Sequence, residues 1–314
     1  MTLDGLLLVD KAPGGTSHDV VQQARRLLRQ KRIGHCGTLD PDATGLLLLT
    51  LGQATRLTRF LIHAPKLYEG VIRFGVATDT YDAAGRVVAE KPIDDLSESA
   101  VDQAMTRFVG TFDQTLPAFS ARKLGGVKFY ELARRGEEVP ETTKEVTVAE
   151  FARTGPLADG NLPFRLSCSS GTYARALAHD LGAALGCGGH LAALRRSAIG
   201  PFLVENALPV EEIGRRREAD DSLGAAWLPL DRIPLPFQEV VVDPQQERRL
   251  RSGQTVLAQG IAAVPGDWIR LADRRGALVA VGTVSDRVGA GAVVVVQPRI
   301  VFRTEPDMVG SVRT

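Results

Sequence analysis

Three cysteines in 314 residues are too few, and an odd number, for a disulfide framework. None of Cys36, Cys168 and Cys187 stands in a Cys-x-x-Cys pair, so nothing suggests a cysteine-rich zinc site either. Cys187 and His190 form a lone C-x-x-H without the second half of a metal site, which reads as structural. No apolar run approaches a membrane span, and the run inside MTLDGLLLVDK is too short for a signal peptide. A reducing, cytoplasmic setting without membrane attachment is the expectation. Internal repeats and low-complexity segments are missing too. Net charge is only +1, so bulk charge says nothing about a polyanionic partner.

What is present is an ordinary globular composition, 44% hydrophobic and 24% charged. Basic residues cluster locally. Arg25, Arg26, Arg29, Lys31 and Arg32 come first, then Arg134 and Arg135, Arg195 and Arg196, Arg215 to Arg217, and Arg248, Arg249 and Arg251. Such runs are usually solvated surface, and they support nucleic-acid binding only beside other signals.

The hydrophobic pattern predicts a strand over Gly5–Val9, and a helix capped by Thr16 or Ser17 that carries Val20, Val21, Ala24, Leu27 and Leu28. Gly34–Gly45 reads as a loop, and Leu46–Leu51 as a buried strand or the start of a buried helix. Strands are expected over Leu67–Val76, Val146–Phe151 and Leu162–Ser169, with a turn at Thr78–Gly85. Helices are expected over Ser97–Phe108, Phe129–Arg135 and Thr172–Leu185. Strands and helices mix without a βαβ repeat, so the class is α+β. The proline-rich Leu228–Phe237 suits an ordered linker, dividing residues 1–235 from 236–314. Beyond it, Ala262–Val264, Trp268–Leu271, Ala277–Val284 and Ala292–Gln297 resemble a small β-rich module, with a loose polar tail after Arg303.

GHCGTLDPDATG, residues 34–45, carries the chemistry. Asp before Pro among glycines is ordinary turn composition. Three sharper readings compete with that one. Asp40, Asp42, Thr44 and Gly45 begin a calcium loop, but its twelfth position is Leu51 instead of Glu. Asp40-Pro41-Asp42-Ala43-Thr44 also reads D-x-D-x-T, the motif of aspartyl phosphotransferases. The apolar strand that should precede it is missing, and no downstream acidic magnesium pair is evident. The third reading is glycosidic chemistry on a nucleoside, where one carboxylate serves as nucleophile or base without a redox cofactor or metal.

From this stretch outward, the sequence resembles the bacterial tRNA pseudouridine-55 synthase family of the TruB type. The matching blocks are DKAPGGTSHDVV (10–21), GHCGTLDPDATGLL, Lys66-Leu67-Tyr68-Glu69, ATDTYDAAGRV (77–87), PAFSARKLGGVKFYELARRGEEV (117–139) and SSGTYARALAHDLGAALGCGGHLAALRR (169–196). They stand in order and cover most of residues 5–200. The resemblance implies a mixed-sheet pseudouridine synthase catalytic domain with a small C-terminal PUA-like module. It implies action on uridine 55 of the TΨC stem-loop of tRNA, with base flipping, no cofactor, no metal and no obligate protein partner, in a monomer. Carried onto this chain, the nucleophilic aspartate is Asp40. His35 stacks in the RNA near the flipped nucleotide, and Tyr68 stacks on the target base and assists catalysis. Tyr173 and Leu194 line the substrate pocket, and Arg175 pairs with Asp40. Arg248, Arg249 and Arg251 are candidates for phosphate contacts in the C-terminal module. One departure is Lys11-Ala12-Pro13, where the family has Lys-Pro directly, which reshapes that turn.

Overall fold

Gly5–Lys11 and Thr44–Leu51 are almost wholly apolar, and nearly every residue in both is buried. A strand with only one buried face would alternate, so the continuous run means that both faces are covered. Leu6, Leu8, Leu46 and Leu48 point into one cluster, while Leu7, Val9, Leu47, Leu49 and Leu51 point into another. The ambiguous 46–51 run is therefore a central strand. The computed structural model describes residues 3–117, 123–124, 127–128, 142–288 and 293–303. The helix expected at Phe129–Arg135 lies outside the described residues.

These two strands belong to a ten-stranded mixed sheet. Its order is Trp227–Pro229, Gly5–Lys11, Thr44–Leu51, Gly189–Ile199, Lys66–Phe74, Asn161–Cys168, Thr143–Arg153 and Gly110–Thr115, with Ile33–His35 and Phe202–Leu203 paired off this path. Every junction is antiparallel except one. Gly189–Ile199 meets Thr44–Leu51 in parallel through only two residue pairs, Arg195 with Thr44 and Arg196 with Gly45. Gly45 has a φ of +97°, and a Cβ there would lie 2.3 Å from the Arg196 carbonyl oxygen, so only glycine allows this approach.

Helices cover the sheet where capping residues start them. Thr16 and Asp19 form a capping box at the head of Ser17–Leu27. Ser97 caps Glu98–Thr106, and Ala174–Ala184 begins after Tyr173 without a side-chain cap. A second sheet follows, in the order Gln238–Val241, Trp268–Ala272, Leu278–Val288, Val293–Val301 and Val256–Gln259, around its own apolar cluster. Here the pattern misled. Ala262–Val264 is irregular, the edge strands are Gln238–Val241 and Val256–Gln259, and the helix Pro244–Arg251 departs from the expected all-β pattern. That helix has a polar sequence with Leu250 as its one buried residue, so little apolar periodicity betrays it. Leu228–Phe237 is no free connector. It opens as the strand Trp227–Pro229, and Leu228, Leu230, Ile233, Leu235 and Phe237 pack with Leu278, Val281, Ile300 and Phe302 of the second sheet. No helix among the described residues is long and apolar enough to cross a membrane.

Candidate active site at the parallel junction

Residues 36–43 leave Ile33–His35 and return into Thr44–Leu51, which places them at the parallel junction. Turn-forming composition alone would leave this loop loose. Three elements distant in sequence hold it instead. Lys11, at the end of the first strand, is buried and its Nζ donates to the carbonyls of Ala12 at 3.0 Å, Pro41 at 2.6 Å and Ala43 at 2.8 Å. Arg196, fully buried, donates from Nε to Leu46 O at 2.7 Å, from Nη2 to Gly37 O at 3.2 Å and from Nη1 to Thr38 O at 3.4 Å. Ser17 Oγ accepts from Leu39 N at 2.8 Å and sits 3.2 Å from Leu39 O. Leu39 and Ala43 enter the apolar cluster that holds Tyr68. Asp40 lies between these two anchors, with its side chain 45% exposed. The backbone is thus immobilised while the carboxylate faces outward.

Arg175 supplies the counter-charge. Its side chain is 8% exposed, with Nε 3.7 Å from Asp40 Oδ2 and Nη1 3.4 Å from Asp82 Oδ2. One buried guanidinium therefore sits between two carboxylates. Such a pairing orients the carboxylates it meets. Asp82 is held in turn by Thr80 Oγ1 at 2.6 Å and Ala84 N at 3.1 Å. The preceding Tyr81 has a φ of +68°, costly for a bulky side chain, and its ring stacks on His179 at 3.8 Å. His179 follows Arg175 by one helical turn, so one helix face fixes the 78–85 turn through both contacts.

The remaining expected residues converge on the same place. Tyr68, buried in Lys66–Phe74, pairs in register with Arg196. Burial pushes its phenol pKa upward, partly opposed by the nearby Arg196, so it stays protonated at neutral pH. Leu194 packs against the cluster holding Leu39 and Tyr68, and its carbonyl lies 3.4 Å from Thr44 Oγ1. The Tyr173 ring lies 5.9 Å from the Arg175 guanidinium carbon. Burial lowers the His35 pKa, only partly opposed by a hydrogen bond with the Gly37 backbone, which leaves a neutral imidazole at neutral pH.

Sequence reasoning passed over Lys11, Asp82, Gln114 and Arg196. Lys11, Asp82 and Arg196 stood inside quoted blocks without a role. Gln114 gave no signal at all, yet it is buried and grips the Tyr173 backbone from both sides. Its Oε1 accepts from Tyr173 N at 2.8 Å and its Nε2 donates to Tyr173 O at 3.0 Å. Several arginines of the basic runs have carboxylate partners. Arg195 is a bidentate partner of Asp10, Arg216 pairs with Glu212, and Arg251 pairs with Glu247 at 2.7 Å. Arg251 is therefore neutralised within its own helix. Pro13, the shifted proline, is exposed. Cys187 and His190 are spent internally, the thiol on the Gly188 carbonyl at 3.4 Å and the imidazole Nδ1 on Val76 O at 2.8 Å.

The model of the TruB family pseudouridylate synthase N-terminal domain matches residues 25–174, and that of the tRNA pseudouridylate synthase B C-terminal domain matches residues 175–241. The chain is 41% identical over 284 residues to tRNA pseudouridine synthase B of Solibacter usitatus, covering 90% of this chain and 96% of that one. The chain belongs to the TruB family. Identity to the Thermobifida fusca tRNA pseudouridine synthase B is 47% over 258 residues, covering 80% and 83% of the two chains. Among solved structures, this TruB-family chain superposes on a chain of a Cbf5-Nop10-Gar1 complex with a TM-score of 0.72 and 24% identity, over 96% of this chain and 86% of that one. A chain of an H/ACA RNP bound to a substrate RNA containing 2'-deoxyuridine gives a TM-score of 0.71 at 24% identity, over 96% and 85%. These two likenesses establish the α+β fold. The matched segment 175–241 includes a central strand of the first sheet, so the boundary at residue 174 divides the sequence and not the sheet.

Proposed function

We propose that this protein is a tRNA pseudouridine synthase that isomerises uridine 55 in the TΨC loop of tRNA, with Asp40 as the catalytic carboxylate. The observation that carries the reading is Asp40 itself, half-exposed on an immobilised loop with the buried Arg175 3.7 Å away. The reaction breaks the C1′–N1 bond and forms C1′–C5. A proton leaves C5 and one is gained at N1, so the conversion is redox-neutral. The target base must leave its stack to reach Asp40. A neutral Tyr68 phenol can stack on uracil and keep a polar tip for the C5 proton. Leu194 and Tyr173 close the pocket, and the neutral His35 imidazole fills space among the bases left behind. Asp40 then attacks the base, attacks the sugar or removes a ribose proton.

Residues 1–235 act as the catalytic domain and 236–314 as a PUA-like RNA-binding module of a cytoplasmic monomer. Asp40→Asn is expected to keep tRNA binding and lose turnover by at least about a thousandfold. Tritium release from [5-³H]uridine in a tRNA transcript measures it. Undiminished release by the variant sinks the role of Asp40. Absence of release from the wild-type protein sinks the isomerase reading and leaves an RNA-binding protein on a synthase scaffold. Hydrolysis of phosphate esters that a chelator abolishes marks the phosphotransferase alternative.

A further inference from the structure

Most well-placed arginines of this protein have a carboxylate. Arg153 has Glu98 and Asp102, Arg175 has Asp40 and Asp82, Arg195 has Asp10, Arg216 has Glu212, Arg251 has Glu247, and Arg270 has Glu239. Three arginines around the 3-10 turn Gly52–Leu57 do not. Arg32 is tied to this turn by Nε to Thr55 Oγ1 at 2.8 Å, and its carbonyl accepts from Gly52 N at 2.9 Å. Arg56 is half-buried within the turn, donates from Nη1 to Val301 O at 2.6 Å and lies 5.5 Å from the Phe302 ring centre. Arg303 is joined to the turn through its backbone, with Gln53 Oε1 at 2.7 Å and Gln53 Nε2 at 2.9 Å. Both oxygens of the neighbouring Asp4 accept from Gln53, at 2.6 and 2.7 Å. Among the described residues, no carboxylate lies within ion-pair distance of Arg32, Arg56 or Arg303. Desolvation lowers the Arg56 pKa first, and Arg32 and Arg303 add to the effect.

Three like charges gathered at one turn, one of them partly desolvated, cost stability unless an anion joins them. The residues come from both modules, Arg32 and Arg56 from the first and Arg303 from the end of the second sheet. Guanidinium forks match phosphate oxygens, and donors not used within the protein remain. Arg32 also lies three residues before His35 on nearly the same extended segment, about 10 Å along it. We infer that Arg32, Arg56 and Arg303 form a composite site for the phosphodiester backbone of the bound RNA, built across the seam between the two modules. The inference rests on the tRNA reading above, and it gives the C-terminal module a defined contact outside the catalytic pocket.

The test is tRNA affinity measured against salt. For Arg32→Gln/Arg56→Gln/Arg303→Gln, the plot of log K against log salt is expected to be shallower than wild type by about 2 to 3, with affinity at low salt reduced at least about tenfold. Arg32→Gln/Arg303→Gln keeps the Arg56 bond to Val301 and is expected to lose about 2 from the slope, so it decides the matter if the triple variant melts early. Arg107→Gln/Arg274→Gln/Arg275→Gln removes three exposed charges elsewhere and is the control. Slopes that coincide with wild type, or an equal loss in the control, overturn the site. Wild-type tritium release with unchanged slopes sinks only the patch. No release sinks the isomerase reading, while the slopes still decide whether the patch meets RNA.

Discussion

The two sheets of this protein treat buried charge differently. In the first, Lys11, Lys66 and Arg196 are buried, and Arg175 is buried on a helix that covers it; in the second, Arg270 is the one buried cation among the described residues. Arg270 has a conventional setting, with Nε on Glu239 at 2.7 Å and further bonds to the carbonyls of Ile233 and Asp231. Lys11 and Arg196 have carbonyl oxygens as their hydrogen-bond partners, and those oxygens belong largely to the loop around Asp40. Lys66 likewise donates to Ile62 O and Ala64 O, and burial pulls its pKa down to about 8. Burying a cation on neutral acceptors is costly. The first sheet bears that cost where a carboxylate must be held still and outward-facing, whereas the second sheet spends its one buried cation on the seam.

Replacing Arg196 and Arg270 breaks or sharpens this contrast most directly. Arg196→Met leaves the carbonyls of Leu46, Gly37 and Thr38 without their donor, so stability is expected to fall by about 3 kcal/mol. Turnover falls by about a hundredfold or more, because the loop that aims Asp40 is no longer fixed. Arg270→Met is expected to cost about 1–3 kcal/mol while sparing single-turnover catalysis at saturating tRNA. Denaturant melts and single-turnover tritium release measure both. Equal catalytic losses in the two variants erase the distinction.

Gln114 offers a smaller effect within the first sheet. Gln114→Leu removes both bonds to the Tyr173 backbone, two residues before Arg175. An approximately tenfold fall in the single-turnover rate is expected, larger than any change in tRNA affinity. Gln114→Glu keeps an acceptor for Tyr173 N–H and is expected to fall between. A change confined to affinity contradicts a positioning role.

Asp180 gives the smallest effect, read in stability alone. Burial pushes its pKa up to about 6 from 3.8. The folded state therefore favours the protonated form. Its contribution is fully present below pH 4 and is lost as pH rises through about 6. Asp180→Asn, permanently neutral, is expected to raise the melting midpoint at pH 8 relative to wild type by about 1–2 kcal/mol equivalent, and to change little at pH 4. A gain of equal size at both pH values shows that ionisation is not the cause.

Much of this arrangement was legible in the residues. Apolar runs and alternation located Gly5–Lys11, Lys66–Phe74, Thr143–Arg153 and Asn161–Cys168, but gave no strand for the central Gly189–Ile199 or for Gly110–Thr115. The ordered blocks named Asp40, Tyr68, Arg175, His35, Tyr173 and Leu194, which the structure brings to the parallel junction. Reading failed where local pattern and tertiary role part company. Pro244–Arg251 buries only Leu250, so it carries little apolar period. Leu228–Phe237 is proline-rich like a linker, yet its apolar side chains fill the seam. Arg195 and Arg196 look alike as neighbours in a basic run, but strand alternation sends one to Asp10 at the surface and the other into the core.

The sequence by itself determined the apolar pattern that makes Gly5–Lys11 and Thr44–Leu51 central strands, and the chemical identity of the 34–45 loop. Both are written in contiguous residues, where propensity, periodicity and motif act over a few positions. Only the tertiary structure decided that Lys11, Ser17 and Arg196 immobilise that loop, that Asp82 shares Arg175 with Asp40, and that Gln114 holds Tyr173. These partners lie 22 to 159 residues apart in the chain. The physical reason is that a buried donor takes whichever acceptor the packed strands bring within 3 Å, and that choice is set by sheet order and register rather than by neighbours in sequence.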